Sequence, residues 1–287
     1  MPVTVASFTT RSGLKIAADV VGEPRRGSVI LAHGGGQTRH SWQSTAERLA
    51  ERGWKAVSLD LRGHGESGWD PEGDYEMHAF ARDVIDVAAT LPGRPALIGA
   101  SLGGLAGLTA EAIEAPGVFS SLTLVDIIPL TDTEGSSKIT GFMAANAEHG
   151  FASLEEAADV IAAYLPHRKR PKDLSGLNKN LRLGEDGRYR WHWDPNFLRM
   201  MRPDRPRVNR ADLAVAARGI EIPVHLIRGR MSELVSQEAG QAFIATLKHG
   251  SFTDVADAGH MVAGDRNDVF FDAVCDFLDR QSGPNRR

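Results

Sequence analysis

Residues 99–103 read Gly99-Ala-Ser101-Leu-Gly103; they end an apolar run, Ala96–Gly99, and open a helical pattern that continues through Ala112. A serine at so sharp a strand-to-helix turn sits in a strained backbone conformation, with its hydroxyl lifted above the sheet. Side chains two positions to either side would collide there, so glycine is required at both. Gly104, Ala106 and Gly107 extend the small-residue surface and let the helix pack closely on neighbouring strands. The bland alternative is a structural glycine-rich turn. The strand–turn–helix context, more than the motif, marks Ser101 as a nucleophile.

Outward from this turn, Val29–Ala32, Ala56–Leu59, Leu122–Val125 and Val224–Ile227 are further short apolar runs. Runs of this kind are expected of parallel strands covered by helices on both faces. Between them the period is helical: Phe80, Val84, Val87 and Leu91 share one stripe, and Asp83 and Asp86 fall off it. The residues through Val20 alternate and predict an antiparallel edge. The fold class is therefore α/β, a doubly wound and mostly parallel sheet.

One interval breaks the rhythm. From Pro129 to about Gly219 no buried strand is evident, but helix signals are plentiful. Ser153-Leu-Glu-Glu156 is a capping-box pattern whose helix Pro166 ends. Asp194-Pro195 reads as an N-cap followed by proline at the first helical position, and Asn209 caps a helix closed by Gly219. A mainly helical cap over residues 130–219, inserted between core segments 1–129 and 220–287, is the expected domain organisation. The basic run His167–Arg170 reads as a solvated loop.

A serine hydroxyl is a poor nucleophile near neutral pH unless a base takes its proton. Phe252–Val255 predicts a last strand, and His260, behind Gly259, is the only histidine between it and the final helix. His225 and His249 lie in or beside strands and read as structural. Upstream, His33-Gly-Gly-Gly36 follows the strand Val29–Ala32. Glycines there let backbone N–H groups approach a substrate carbonyl, and a tetrahedral intermediate needs two such donors. Leu102, after the nucleophile, supplies one; Gly35, or alternatively Gly36, supplies the other.

His33-Gly, Asp60-Leu-Arg-Gly-His-Gly-Glu-Ser67, Gly99-x-Ser101-x-Gly103 and Gly259-His260 together resemble the α/β-hydrolases, esterase-like members with a helical cap, in their typical order. The resemblance covers nearly the whole chain outside the cap. It implies that the Asp60–Ser67 stretch is a structural turn near the site, without chemistry at Asp60 or His64. It also implies a triad acid after the strand that follows the cap, in a Gly-x-x-Asp pattern. Here that segment reads Gly229-Arg-Met-Ser232-Glu233, with serine where the aspartate belongs and Glu233 one residue late. Asp126 is the other candidate. It ends an apolar run, where a carboxylate needs a partner, and some family members with a similar Asp-Ile-x-Pro segment take their acid from this strand. The bland reading is a cap for the first turn of the insertion.

Serine, histidine, a carboxylate and an oxyanion hole perform acyl transfer, so cleavage of a carboxylic ester or lactone is the expected reaction. Carbon–carbon bond hydrolases, cofactor-free perhydrolases and small-molecule receptors on the same fold are the alternatives. Ser101 argues against epoxide hydrolases and dehalogenases, which use aspartate. Tyr189, Trp191 and Trp193 would share one face of an extended segment and line a pocket, or merely pack the cap; Trp42 is placed at the pocket mouth. Zinc-type spacings, a P-loop and the dinucleotide pattern are all missing, and no cofactor is expected. The partner implied is a small-molecule substrate.

Among 287 residues the apolar share is 42% and the net charge −4, which recruits neither nucleic acid nor an anionic membrane. No run approaches the roughly 18 apolar residues of a membrane span. The one cysteine, Cys275, lies with Val274, Phe277 and Leu278 on a helix face and reads as buried and inert. The first residues lack a basic-then-apolar leader, and a cytoplasmic location is expected. Monomer and homo-oligomer both stay open.

Overall fold

The computed structural model describes residues 1–164, 170, 172–200, 209–260, 262 and 267–281. Eight strands form one sheet: β1 (Val3–Thr9), β2 (Lys15–Val21), β3 (Ser28–Ala32), β4 (Lys55–Leu59), β5 (Ala96–Ala100), β6 (Ser121–Val125), β9 (Val224–Gly229) and β10 (Gly250–Val255). Their order across the sheet is β1-β2-β4-β3-β5-β6-β9-β10. β1 and β2 pair antiparallel, β2 joins β4 antiparallel, and every later pairing is parallel. The expected antiparallel edge and continuous apolar strands are both present.

Strand alternation feeds two cores. Ile30, Ala32 and Leu97 face one, against α2 (Met77–Ala89), α3 (Leu102–Thr109) and α8 (Gln237–Ala245). Val29, Leu31, Ala96 and Ile98 face the other, against α1 (Gln43–Glu51) and α9 (Asn267–Gln281). Cys275 is buried in that second core, where burial pushes its thiol up to about 11. The chain winds outward from β3 in one direction and from β5 in the other. The crevice beyond the carboxyl ends of these two strands is the switch point at which such sheets bind ligands.

Asp83 departs from the expected pattern on α2. It is buried, with Arg62 donating to it from Nε (2.6 Å) and Nη2 (2.8 Å). A bidentate guanidinium satisfies both carboxylate oxygens and makes the burial tolerable. Asp86 meets Arg11 near the surface.

Between β6 and β9 lie α4 (Thr133–Ala145), α5 (Leu154–Tyr164), a hairpin of β7 (Leu181–Leu183) and β8 (Tyr189–Trp191), α6 (Phe197–Met200) and α7 (Arg210–Ala217). The insertion is mainly helical, as expected, but the short hairpin had no buried apolar run to announce it. Glu156 N–H donates to Ser153 Oγ (3.2 Å) while Ala152 N–H donates to Glu156 Oε2 (2.5 Å), so the capping signal is real. Asn209 Oδ1 accepts from Ala211 N–H at 2.9 Å and opens α7. Pro166 and His167–Lys169 lie outside the described residues. Among the described residues no helix is long and apolar enough to cross a membrane.

Candidate active site

Ser101 occupies the one residue between β5 and α3, with φ 45° and ψ −108°. Such a conformation costs about 1–3 kcal/mol for a non-glycine residue and persists only where its surroundings enforce it. A Cβ on Gly99 would fall 2.5 Å from the backbone of Gly103 and Gly104, and one on Gly103 would fall 2.4 Å from Ala32 O. Both flanking glycines are therefore demanded by contact. Ser101 N–H donates to Val125 O (3.2 Å), and Gly103 N–H donates to His33 O (3.1 Å). These bonds stitch the turn to β6 and to the loop after β3.

That loop, His33–Gly36, approaches the serine closely: a Cβ on Gly34 would lie 3.5 Å from Ser101 Cβ. Its N–H groups are unequally engaged. Gly34 N–H donates to Gln37 Oε1 (2.9 Å) and Gly36 N–H donates to His64 Nε2 (3.1 Å). Gly36 N–H, the alternative donor, is thereby already engaged by His64. Among the described residues, Gly35 and Leu102 N–H have no acceptor within the protein.

Buried histidines brace the loop. His33 Nδ1–H donates to Gly34 O (2.8 Å) and Nε2 accepts from Leu61 N–H (3.0 Å). His64 Nδ1–H donates to Arg62 O at 2.9 Å, which leaves Nε2 as the acceptor for Gly36. Burial lowers the pKa of both rings, that of His64 to about 3, so each stays neutral. Burial works to raise the Asp60 carboxyl. The N–H groups of Arg39 and Glu66 and the Arg39 guanidinium outweigh it and hold it below the usual range. The Asp60–Ser67 stretch is thus a scaffold under the loop, as the resemblance implied.

Asp126 follows β6 at φ 51° and is fully buried. His260 Nδ1–H donates to Asp126 Oδ2 at 2.8 Å, Ser232 Oγ–H donates to the same oxygen at 2.6 Å, and Gly229 N–H donates to Oδ1 at 3.1 Å. An ionised carboxylate only accepts, so this contact places the imidazole hydrogen on Nδ1 and leaves Nε2 as the basic nitrogen. Glu233, the alternative acid, does not take part. Its side chain is 66% exposed and faces Lys138 Nζ at 3.4 Å. A one-residue displacement after the strand turns the side chain outward. The serine at the vacated acid position contacts Asp126 instead, a relation without any sequence signal.

The cap distributes its aromatics differently from the sequence expectation. Trp42 is not at the pocket mouth: it is 2% exposed and packs on Phe270, ring centroids 6.0 Å apart, in the α1–α9 core. Tyr189 and Trp191 do share a face, packed with Phe151 in the cap's own small core. Trp193 is buried beside the oxyanion-type loop, its Nε1 3.6 Å from where a Cβ on Gly36 would stand. Phe197 comes within 3.4 Å of the same point on Gly35, and Met143 within 3.0 Å of that on Gly36. Met143 had no distinguishing signal in the sequence, since only the approach of α4 to the loop after β3 brings it there. Among the described residues no three His, Cys, Asp or Glu side chains group so as to hold a metal ion.

Residues 29–273 match the model of the alpha/beta hydrolase family. The chain is 28% identical over 257 residues to Esterase Rv0045c of Mycobacterium tuberculosis, covering 88% of this chain and 82% of that protein. A solved structure of the same esterase superposes with a TM-score of 0.76 at 25% identity, over 97% of this chain and 93% of that one. The 2-(acetamidomethylene)succinate hydrolase of Mesorhizobium japonicum is 28% identical over 236 residues, 81% of each chain. A crystal structure of E-2-(acetamidomethylene)succinate hydrolase superposes at a TM-score of 0.82 and 21% identity, over 97% of this chain and all of that one, and speaks for the fold alone. With the model spanning both halves of the core and the cap between them, the chain belongs to the alpha/beta hydrolase family and is a hydrolase.

Proposed function

We propose that the chain cleaves a carboxylic ester or lactone through an acyl-enzyme, with Ser101 as nucleophile, His260 as base and Asp126 as acid. The observation that carries this reading is the 2.8 Å contact between His260 Nδ1 and fully buried Asp126, one strand away from the strained Ser101 turn. The relative named as an esterase and a further relative, the 3-hydroxybutyrate-oligomer hydrolase of Cupriavidus necator (27% identical over 253 residues), support ester chemistry.

In this mechanism Ser101 Oγ attacks the carbonyl carbon while His260 Nε2 takes its proton. The carbonyl electrons move onto oxygen, and the Gly35 and Leu102 N–H groups receive that charge. Donors fixed in advance need not reorganise as the charge grows. Collapse of the intermediate expels the alcohol, which collects the proton from His260. Water then repeats the sequence on the acyl-enzyme and frees Ser101. Asp126 holds the imidazole in the required tautomer and steadies its charged form. Met143, Trp193 and Phe197 close an apolar wall over the loop, which suits an acyl or aryl group. Tyr189 and Trp191 support that wall from the cap core.

Labelling with a fluorophosphonate tests the assignment. The wild-type chain should label and Ser101→Ala should not. Turnover of p-nitrophenyl esters of graded chain length then tests the ester reading; a chain that labels but cleaves none of them would refute it.

A further inference from the structure

Ser232 stands where the family resemblance places an acid, yet it has not lost contact with the site. Its Oγ accepts from Leu234 N–H (3.1 Å) and Val235 N–H (3.3 Å), so both lone pairs of the hydroxyl are occupied. The hydroxyl hydrogen is then free to go only to Asp126 Oδ2, 2.6 Å away. That oxygen is the one His260 Nδ1 meets at 2.8 Å. Ser232 N–H is tied to Gly229 O at 2.9 Å, and Gly229 N–H donates to Asp126 Oδ1 at 3.1 Å, so one tight turn after β9 holds both carboxylate oxygens.

We propose that Ser232 is a positioning residue of this active site, whose hydroxyl fixes the rotation of Asp126 and shares with His260 the carboxylate oxygen that faces the imidazole. The proposal rests on the Ser101–Asp126–His260 reading. Two donors on one oxygen divide its electron density. Ser232 therefore restrains how strongly Asp126 holds the imidazole proton, and short hydrogen bonds to a charged acceptor are the strong kind. Among the described residues, the charged groups on the neighbouring segments are engaged elsewhere. Arg228 and Arg230 pair with Asp254 (2.7 and 3.2 Å), Lys138 pairs with Glu233 (3.4 Å), and Arg210 Nη1 meets Pro129 O (3.4 Å). On the loop of His260 itself, among the described residues, the titratable neighbour is Asp257, at φ 55°.

Threonine and valine at position 232 have nearly the same shape and differ in the hydroxyl, so Ser232→Thr, Ser232→Val and Ser232→Ala separate orientation from packing. We expect Ser232→Thr to behave as the wild type. Ser232→Val and Ser232→Ala should lose about tenfold in kcat, the scale of one hydrogen bond to a charged group, with KM nearly unchanged. The acidic limb of their kcat/KM profile should move to higher pH. The low-field proton resonance of the His260–Asp126 hydrogen bond should also move in Val and Ala but not in Thr. If Val and Ala lower only the melting temperature, and leave pH profile and resonance where they were, Ser232 merely staples a loop and the proposal is overturned. The resonance needs no substrate. A shifted signal in a chain that turns over no ester would therefore sink the esterase reading and leave the role of Ser232 standing.

Discussion

Asp126 combines left-handed backbone, full burial and ionisable chemistry in one residue. Each is costly alone, and together they persist because three donors converge on its two oxygens. Asp126→Asn keeps the shape but offers His260 an ambiguous partner, so kcat/KM should fall about 10³–10⁴-fold, read from burst kinetics on an activated ester. Glu233→Gln should change it less than about twofold, because an exposed ion pair contributes little. The reverse ranking would return the acid to Glu233. His64→Phe strips the half-buried Gly36 N–H of its acceptor. The expected cost is about 1–3 kcal/mol of stability by denaturant unfolding, with a lowered kcat as the 33–36 loop, the proposed oxyanion donor, loosens.

At the scale of elements, the decisive contacts are between a turn and its neighbours. Gly103→Ala forces a methyl to within 2.4 Å of Ala32 O on β3, and neither backbone can retreat cheaply. Overpacking of this kind costs about 1–3 kcal/mol, or roughly 2–4 °C in Tm for each kcal/mol in a chain this long. Turnover should fall further than the unfolded fraction explains, since α3 carries Leu102. Trp42 offers the opposite dissociation. It joins the start of α1 to α9 within the second core, so Trp42→Phe should lower Tm while leaving KM for an ester unchanged. A raised KM would move Trp42 back to the pocket. Much of this layer was legible in advance. Strand runs, the Ser153 and Asn209 cap signals and the glycine spacing are local patterns, and local patterns survive folding. Asp83 was not legible, because its partner Arg62 comes from a distant turn.

Across the whole molecule, three buried histidines couple stability to pH. His33, His64 and His225 all have folded-state pKa values lowered chiefly by burial, to about 3 for His64 and about 4 for His225. A ring kept neutral in the fold but free to charge when unfolded gives the unfolded chain extra protons below its ordinary pKa, near 6.5. The stabilisation is complete above that pH and is lost on acidification toward the folded values, by at most about 1.4 kcal/mol per pH unit for each ring. Unfolding free energy should decline steadily from pH 7 to pH 5, before most carboxylates of the unfolded chain titrate. A flat profile over that range would contradict the neutral assignment. The Gly99–Gly103 turn, the parallel sheet, the inserted cap and the candidacy of Ser101 and His260 were determined by the sequence itself, because each rests on spacing along the chain or on steric limits within a few residues. Only the tertiary structure decided which carboxylate meets His260, which glycine N–H stays available, where Trp42 packs, and that Ser232 contacts Asp126. Those outcomes depend on which side chains from β3, β6, β9 and β10 arrive at one point, and hydrogen-bond partners a hundred residues apart leave no periodic trace in the chain.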